Sequence, residues 1–585
     1  MKKIYRLIVL LLLVTVLASA QENKPQINNV IEKVLKEIKD FRTEGKKRDS
    51  IAGHPLGSNK EEDFLRSYTF FKSVDEELKQ VNKASLSFDD EINIELLEYD
   101  IGDEISAYTF KSYLNPILAD EGFHTGLPSM ASGSMTSKED YEIYIKKLED
   151  IPRYVQENLD LMSKGLALGI CQPRAILNGY ENTYERQITD TIEKSVFWKP
   201  FVDRPFQIND DDWKNIREKG RKAIRDGAIA GYRLIKVFFD KEYLPKTRTT
   251  LGVSNFPNGL AYYQDRVHHY TTTGISYEEV YQLGLKEVER IKKEMLDVLK
   301  EVNFKGSLQE FITYLRTDPK FYVTTPEQLL KEASYIAKQI DGKLPMFFGK
   351  LPRQPYGVEP VPEHLAPTYT AGRYSGSSIN SKRAGHYWVN TYDLKSRPLY
   401  ALESLTMHEA VPGHHLQIAL TQELTNLPEF RRNLYVNAFG EGWGLYCEYL
   451  GTEMGFYKDP YSRFGRLTYE MWRACRLVID VGIHVKGWTR DQAVKYLADN
   501  TALSLHEVNT EINRYISWPG QALAYKMGEL KIKELRKKAE TQLKEKFDIR
   551  EFHDLVLSQG TVTLMILEKM VDRYISEKLA KVDSK

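Results

Sequence analysis

Residues 406–417 read Thr-Met-His-Glu-Ala-Val-Pro-Gly-His-His-Leu-Gln, and they hold three of the chain's twelve histidines. The surrounding residues, 398 to 422, are otherwise largely apolar and helical in pattern, so the histidines and Glu409 are expected on one helix. A catalytic zinc site commonly takes three protein ligands and keeps a fourth position for water. Its familiar helical form, His-Glu-x-x-His, sets two histidines one turn apart with the glutamate as base. Here Pro412 stands where the second histidine would be, and His414 and His415 follow His408 by six and seven residues.

On a straight helix, seven residues return to nearly the same face but about 10.5 Å along the axis, and six point away. Pro412 cannot donate to the carbonyl of His408 and crowds it. Gly413 admits unusual dihedrals. Together they predict a bulge that takes up the extra residues. Absorbing two restores the one-turn relation and favours His414 as the second ligand. His415 stays open as the alternative ligand or as a contact to substrate. The third ligand is expected from a following helix, opened by Leu427-Pro428 and running to about Met454. Glu441 is the candidate there, set among Gly440, Gly442 and Gly444. Each helical glycine costs about 1 kcal/mol relative to alanine, so three around one carboxylate predict close helix–helix approach. Glu448, on the same face, is expected to orient a ligand. Glu409 is the expected general base for water acidified by one zinc ion per chain.

The rest of the chain bounds this reading. It has 585 residues, 42% hydrophobic and 28% charged, with 82 basic and 82 acidic side chains. That size allows a large core or two to three lobes, and the zero balance gives no support to nucleic acid or an anionic membrane as partner. Lys2, Lys3 and Arg6, an apolar run from Leu7 to Leu17 and Ala18-Ser19-Ala20 have the form of a cleaved export signal. The mature chain is then expected to start at Gln21, periplasmic or secreted, with no membrane span. No cysteine follows the cleavage site, so no lipid anchor is expected there. Cys171, Cys447 and Cys475 form neither a disulfide framework nor a CxxC zinc site, and Cys447 and Cys475 read as small buried hydrophobes.

The helical pattern begins in residues 21–50 and continues, as at 140–151 and from Asp210. A break is expected near 245–275, then a capping box at Ser276 opening a helix to about Val302. Prolines at 345, 352, 355, 360, 362 and 367 predict a rigid non-helical stretch. Residues 385–392, Gly-His-Tyr-Trp-Val-Asn-Thr-Tyr, carry a strand signal. That strand either lines the cleft and pairs with an extended substrate or is a structural hairpin. Residues 465–580 read as helix around a turn at 517–520.

The run His-Glu-Ala-Val-Pro-Gly-His-His-Leu-Gln, followed at 438–450 by Ala-Phe-Gly-Glu-Gly-Trp-Gly-Leu-Tyr-Cys-Glu-Tyr-Leu, resembles the bacterial domain-of-unknown-function family 885. The resemblance continues at 385–393, 472–484, 514–528 and 552–560. That family in turn resembles the gluzincin peptidases, mostly helical enzymes with a His-Glu-His metal helix and a downstream Glu. The resemblance implies a metallopeptidase-like fold and zinc at His408, a second histidine and Glu441, but no particular substrate. It also points to Tyr525 as a donor to the oxyanion.

Arg473, Arg476, Asp480 and His484 form a polar stripe at helical spacing, either a solvated face or a cleft wall. As a wall it sets His484 near the scissile carbonyl and offers an arginine to a substrate carboxylate. Tyr387 and Asn390, on the strand before the metal helix, are further candidate substrate contacts. Arg514 and Lys526 are weaker candidates, and His268-His269 are expected to be structural, in a loop. The expected architecture is mostly α: a signal peptide at 1–20, an N-terminal helical lobe at 21–275 and a catalytic lobe at 276–585. The two lobes enclose a cleft, with a small sheet beside the metal helix. The expected activity is zinc-dependent hydrolysis of a peptide or peptide-like substrate. The alternatives are a non-peptide amidohydrolase and an inactive periplasmic metal- or peptide-binding protein.

Overall fold

Helices begin where the sequence supplies a cap. The computed structural model describes residues 28–363 and 365–583; the leader at 1–20 lies outside them. The first described helix, Asn29–Ile51, starts at Asn28, whose side chain accepts from the Val30 N–H. Helix α1 (Lys138–Leu168) opens on a capping box of Ser137 and Asp140, and α2 (Tyr277–Glu301) on one of Ser276 and Glu279. Each box satisfies two otherwise unpaired N–H groups. The expected break at 245–275 is only partly a break. Its Pro/Gly cluster ends in a helix, Gly259–Thr271, which carries His268 and His269. They therefore sit on a helix and not in a loop.

The protein is mostly helical. Among the described residues the sheet has three strands: β1 (Tyr356–Pro360), β2 (Gly372–Ser375) and β3 (Gly385–Val389), in the order β1-β3-β2. β3 runs parallel to β1 and antiparallel to β2, with Tyr374 opposite Tyr387. Along β3 the residues Gly385, Tyr387 and Val389 are buried and the two between them are less so, the period-two alternation of a strand. The strand expected over 385–392 is thus real but shorter. Because β3 is central, its backbone is already paired on both sides, and it has no edge to offer a substrate. The strand that borders the candidate site is β2.

Six helices build the rest of the site: α3 (Leu402–Glu409), α4 (His414–Glu423), α5 (Asn437–Glu453), α6 (Pro460–His484), α7 (Leu505–Ser517) and α8 (Ala524–Leu543). Every residue of α6 from Phe464 to His484 is buried. α6 packs against α2 so closely that a Cβ on Gly284 would lie 2.7 Å from Leu477 Cβ. α5 and α8 approach as closely: a Cβ on Gly442 would lie 2.4 Å from Gly528 Cα. The largest buried apolar cluster runs from Ile92 to Ile575 and joins residues on both sides of position 275. Cys171, Cys447 and Cys475 are buried and free. No described helix is long and apolar enough to cross a membrane.

Candidate metal centre

The expected bulge is a full break. α3 ends at Glu409, and α4 starts at His414. Ala410 (ψ −107) and Gly413 (ψ −129) turn the chain between them, through a cis Val411–Pro412 peptide. A Cβ on Gly413 would meet the His408 carbonyl oxygen at 1.9 Å, so only glycine fits there. Two backbone carbonyls of the break find partners. The His415 N–H reaches back to the Ala410 carbonyl (3.1 Å), and the Trp443 indole N–H donates to the Pro412 carbonyl (2.9 Å).

This turn returns His414 to His408. One ligand atom each from His408, His414 and Glu441 lies within 4.8 Å of the other two. Glu441 Oε2 is 3.5 Å from His408 Nε2 and 3.4 Å from His414 Nε2. The two imidazoles stand nearly perpendicular, their centroids 4.8 Å apart. His408 Nδ1 lies 2.8 Å from Glu448 Oε1, the orienting contact expected of Glu448. Arg473 Nη2 is 3.4 Å from the same oxygen.

The three glycines around Glu441 have separate tasks. Gly442 admits α8, Gly440 leaves room for the Tyr435 ring, and Gly444 leaves room for the His408 ring, which a Cβ would meet at 2.6 Å.

The electrostatics favour a cation here. Burial alone would lower the His408 pKa, but the carboxylates of Glu441 and Glu448 override it and raise it to about 10. Burial likewise opposes ionisation of Glu441, and its two histidine neighbours hold it well below the usual carboxylate range. Two carboxylates that retain a proton on a buried imidazole would equally retain a positive ion. Two imidazole nitrogens and a carboxylate are also a ligand set that zinc takes. The residues therefore fit such an ion.

A cavity of about 330 Å³ opens on this group, lined also by β2, α6, α7 and Tyr525. Glu409 lines it, one oxygen held by the Tyr374 N–H of β2 (2.8 Å). Tyr525 lines it too, its ring 6.4 Å from that of His408. The Tyr525 hydroxyl oxygen accepts from Arg514 (3.2 Å). Arg473 and Arg476 reach the cavity wall from α6. Arg476 is committed to the Tyr515 hydroxyl and to Glu511 (both 2.8 Å).

Other expected site residues stand elsewhere. His415 is buried behind the site, its Nδ1 3.0 Å from the Tyr374 hydroxyl, against the Tyr356 ring. Burial pushes its pKa down to about 4. It braces β2 and is outside the ligand group, so the alternative of His415 as ligand does not fit the geometry. His484 is fully buried at the far end of α6, where its Nδ1 accepts from the Val253 N–H (3.3 Å) and its Nε2 meets the Tyr515 carbonyl (2.9 Å). It cannot reach a scissile bond in the cavity. The α6 stripe is thus a cleft wall only as far as Arg476. Tyr387 is buried, 3.4 Å from the Thr406 hydroxyl. Asn390 is buried and donates to the carbonyls of Ala366, Tyr369 and Thr370, holding the loop that leads to β2. Both are scaffold, not cavity lining. Lys526 is also buried, bonded to Glu470 and Glu529.

Arg373 and Tyr374 of β2, and Tyr435, line the cavity without having stood out in the sequence. Gly-Arg-Tyr-Ser is too short a run for periodicity to register. Only the rigid proline stretch before it marked the region.

Fold and site define a mostly helical protein with a His/His/Glu cluster that could hold a metal ion in the wall of a cavity. The chain belongs to the bacterial domain-of-unknown-function family 885 (DUF885), whose profile matches residues 48–571. A solved structure from Colwellia psychrerythraea is 27% identical with a TM-score of 0.82, covering 89% of this chain and 92% of its own. One from Shewanella oneidensis is 17% identical with a TM-score of 0.66, covering 87% of this chain and 92% of its own, and shares the fold. Both are described as putative lipoproteins, the second of unknown function. No curated protein matches the chain.

Proposed function

We propose that this chain is an exported, zinc-dependent peptidase with a two-lobed, gluzincin-like arrangement around its cavity. The observation that carries the reading is the convergence of His408, His414 and Glu441 within 4.8 Å in the same cavity wall as Glu409. His408, His414 and Glu441 would hold the ion. Zinc, when bound, supplies a Lewis acid that acidifies water and polarises a carbonyl. Glu409 is fixed through one oxygen by the Tyr374 N–H, which leaves the other to take the proton from water and pass it to the leaving amine. Because Arg514 donates to the Tyr525 oxygen, the Tyr525 hydrogen is free to point at the carbonyl oxygen as its charge develops. The leader-like residues 1–20, together with the lipoprotein description of the Colwellia psychrerythraea relative, support export.

The test is the metal content of the purified protein and turnover on a mixed peptide substrate. The expected result is about one zinc per chain. In Glu409→Gln, turnover should fall by about 10²–10⁴ with zinc retained. Full activity in that variant would remove Glu409 as base. No metal in any sample, even after zinc is supplied, would remove the hydrolase reading.

A further inference from the structure

Four arginines line the metal-side cavity: Arg373, Arg473, Arg476 and Arg514. Three are tied to the protein's own carboxylates. Arg473 lies 3.4 Å from Glu448, Arg476 lies 2.8 Å from Glu511 and Arg514 lies 3.6 Å from Glu511. Arg373 has no ion-pair partner among the described residues. Its guanidinium lies over the Tyr369 ring, 5.4 Å from the centroid, and is exposed to the cavity.

Its position matters as much as its freedom. A second chamber, about 370 Å³, adjoins the first and is lined on its far side by residues 118–121 and 176–186. Arg373, Arg514, Thr370, Glu511 and Trp518 line both chambers. They form the neck where the two chambers meet. At that neck Arg373 and Arg514 lie within electrostatic reach of each other, and Arg373 within reach of Glu409 and Tyr525. An anion held there sits beside the groups proposed to act on the scissile bond.

Building on the peptidase reading of the site, we infer that Arg373, backed by Arg514, anchors a carboxylate of the substrate. The substrate class is then a short peptide with a free C-terminal carboxylate. The planar guanidinium of Arg373 can take a carboxylate through two parallel N–H donors. Glu409, Glu441 and Glu511 in the same cavity disfavour a doubly charged anion such as a phosphate more than a singly charged carboxylate. Glu511 neutralises part of the neck, and Asp120 lines the second chamber within reach of Arg514. Arg373 is therefore the main anchor. A seated C-terminus at the neck confines the residue next to the scissile bond to the metal-side chamber, which fits short substrates and exopeptidase cleavage.

The experiment uses the full-length, zinc-loaded chain in the Glu409→Gln background. Binding of tri-alanine, tri-alanine amide and Ala-Ala-Glu amide is followed by the fluorescence of Trp472 and Trp518, which line the cavity. Tri-alanine should bind about tenfold or more tightly than its amide, and Arg373→Gln should abolish the difference. Arg373 is exposed and makes no ion pair, so the variant should fold. Equal affinity for acid and amide, or no binding of either, would overturn the anchor. Tight binding of Ala-Ala-Glu amide that Arg373→Gln removes would overturn the terminal assignment in favour of an acidic side chain. Acid-selective binding without hydrolysis by the wild-type protein would leave the anchor standing and remove the peptidase reading. Hydrolysis of acid and amide alike would do the reverse.

Discussion

Gly444→Ala gives the sharpest test of how the site is built. A Cβ at Gly444 would lie 2.6 Å from His408 Cε1 and 2.7 Å from Nε2. That is roughly 1 Å inside ordinary heavy-atom contact. Gly444 sits in mid-helix, so the backbone cannot easily yield, and the ring must move. Movement is opposed by the 2.8 Å contact from His408 Nδ1 to Glu448. Metal–ligand distances tolerate only about 0.2 Å, so a displaced Nε2 should weaken zinc binding by at least about 100-fold, or roughly 2.7 kcal/mol. The metal-free fold should lose about 1–3 kcal/mol as the buried ring is displaced, partly offset because alanine is better than glycine in a helix by up to about 1 kcal/mol. The assay is zinc affinity by chelator competition beside thermal unfolding in chelator. Gly442→Ala is the contrasting variant: its Cβ would strike the α8 backbone at Gly528, so it should lower Tm in chelator. Wild-type zinc affinity in Gly444→Ala would refute the reasoning.

Three further outcomes are expected. His414→Ala should lose zinc, whereas His415→Ala should keep it and lose about 1–2 kcal/mol of stability through the freed Tyr374 hydroxyl; zinc content and denaturant midpoints decide. Glu448→Gln keeps the shape but removes the charge beside His408 and Arg473, so chelator competition should show zinc affinity about 10–100-fold lower. Asp480 is fully buried, accepts from the Tyr263 hydroxyl and the Gly520 N–H, and burial pushes its carboxyl up to about 7. A raised carboxyl stabilises the fold below its unfolded pKa of about 4, and that contribution is lost as pH rises through 7. The wild type should therefore lose a few kcal/mol relative to Asp480→Asn between about pH 4 and 8; parallel stability–pH curves would exclude this.

The histidine part of the cluster was legible because its chemistry is local in sequence. His408, Glu409 and His414 lie within seven residues, and Pro412 with Gly413 announced a departure from straight helix. The capping box at Ser276 was legible for the same reason. What the sequence could not show is how far the departure goes, since a bulge and a full break need the same two residues. Nor could it show where long polar helices are buried. Arg476, Asp480 and His484 share one spacing on α6, yet only Arg476 meets the cavity. The other two are enclosed by residues distant in sequence, Tyr263 and Gly520 around Asp480 and Val253 around His484. Tyr387 failed as a substrate contact because its strand, β3, proved to be central and its side chain buried, and Asn390 because it lies past the end of β3 with its amide committed to the loop before β2.

The break between α3 and α4 also explains why α5 carries so dense a motif. A six-residue spacing of histidines cannot chelate on a straight helix, so the chain must leave helical geometry, and each departing polar group then needs a partner. α5 supplies these within one stretch. Trp443 satisfies the Pro412 carbonyl, Gly444 leaves the space into which the His408 ring fits, and Glu441 meets both histidines. Glu448 then fixes the remaining nitrogen of His408. From the other side, β2 fixes Glu409 through its own backbone and is itself braced by His415. The second histidine of the His-His pair is thus required by the strand, and the first by the ligand group. On this argument the two histidines are not alternatives for one position: each is tied to a different partner, and exchanging their roles would require re-forming both the break and the sheet edge.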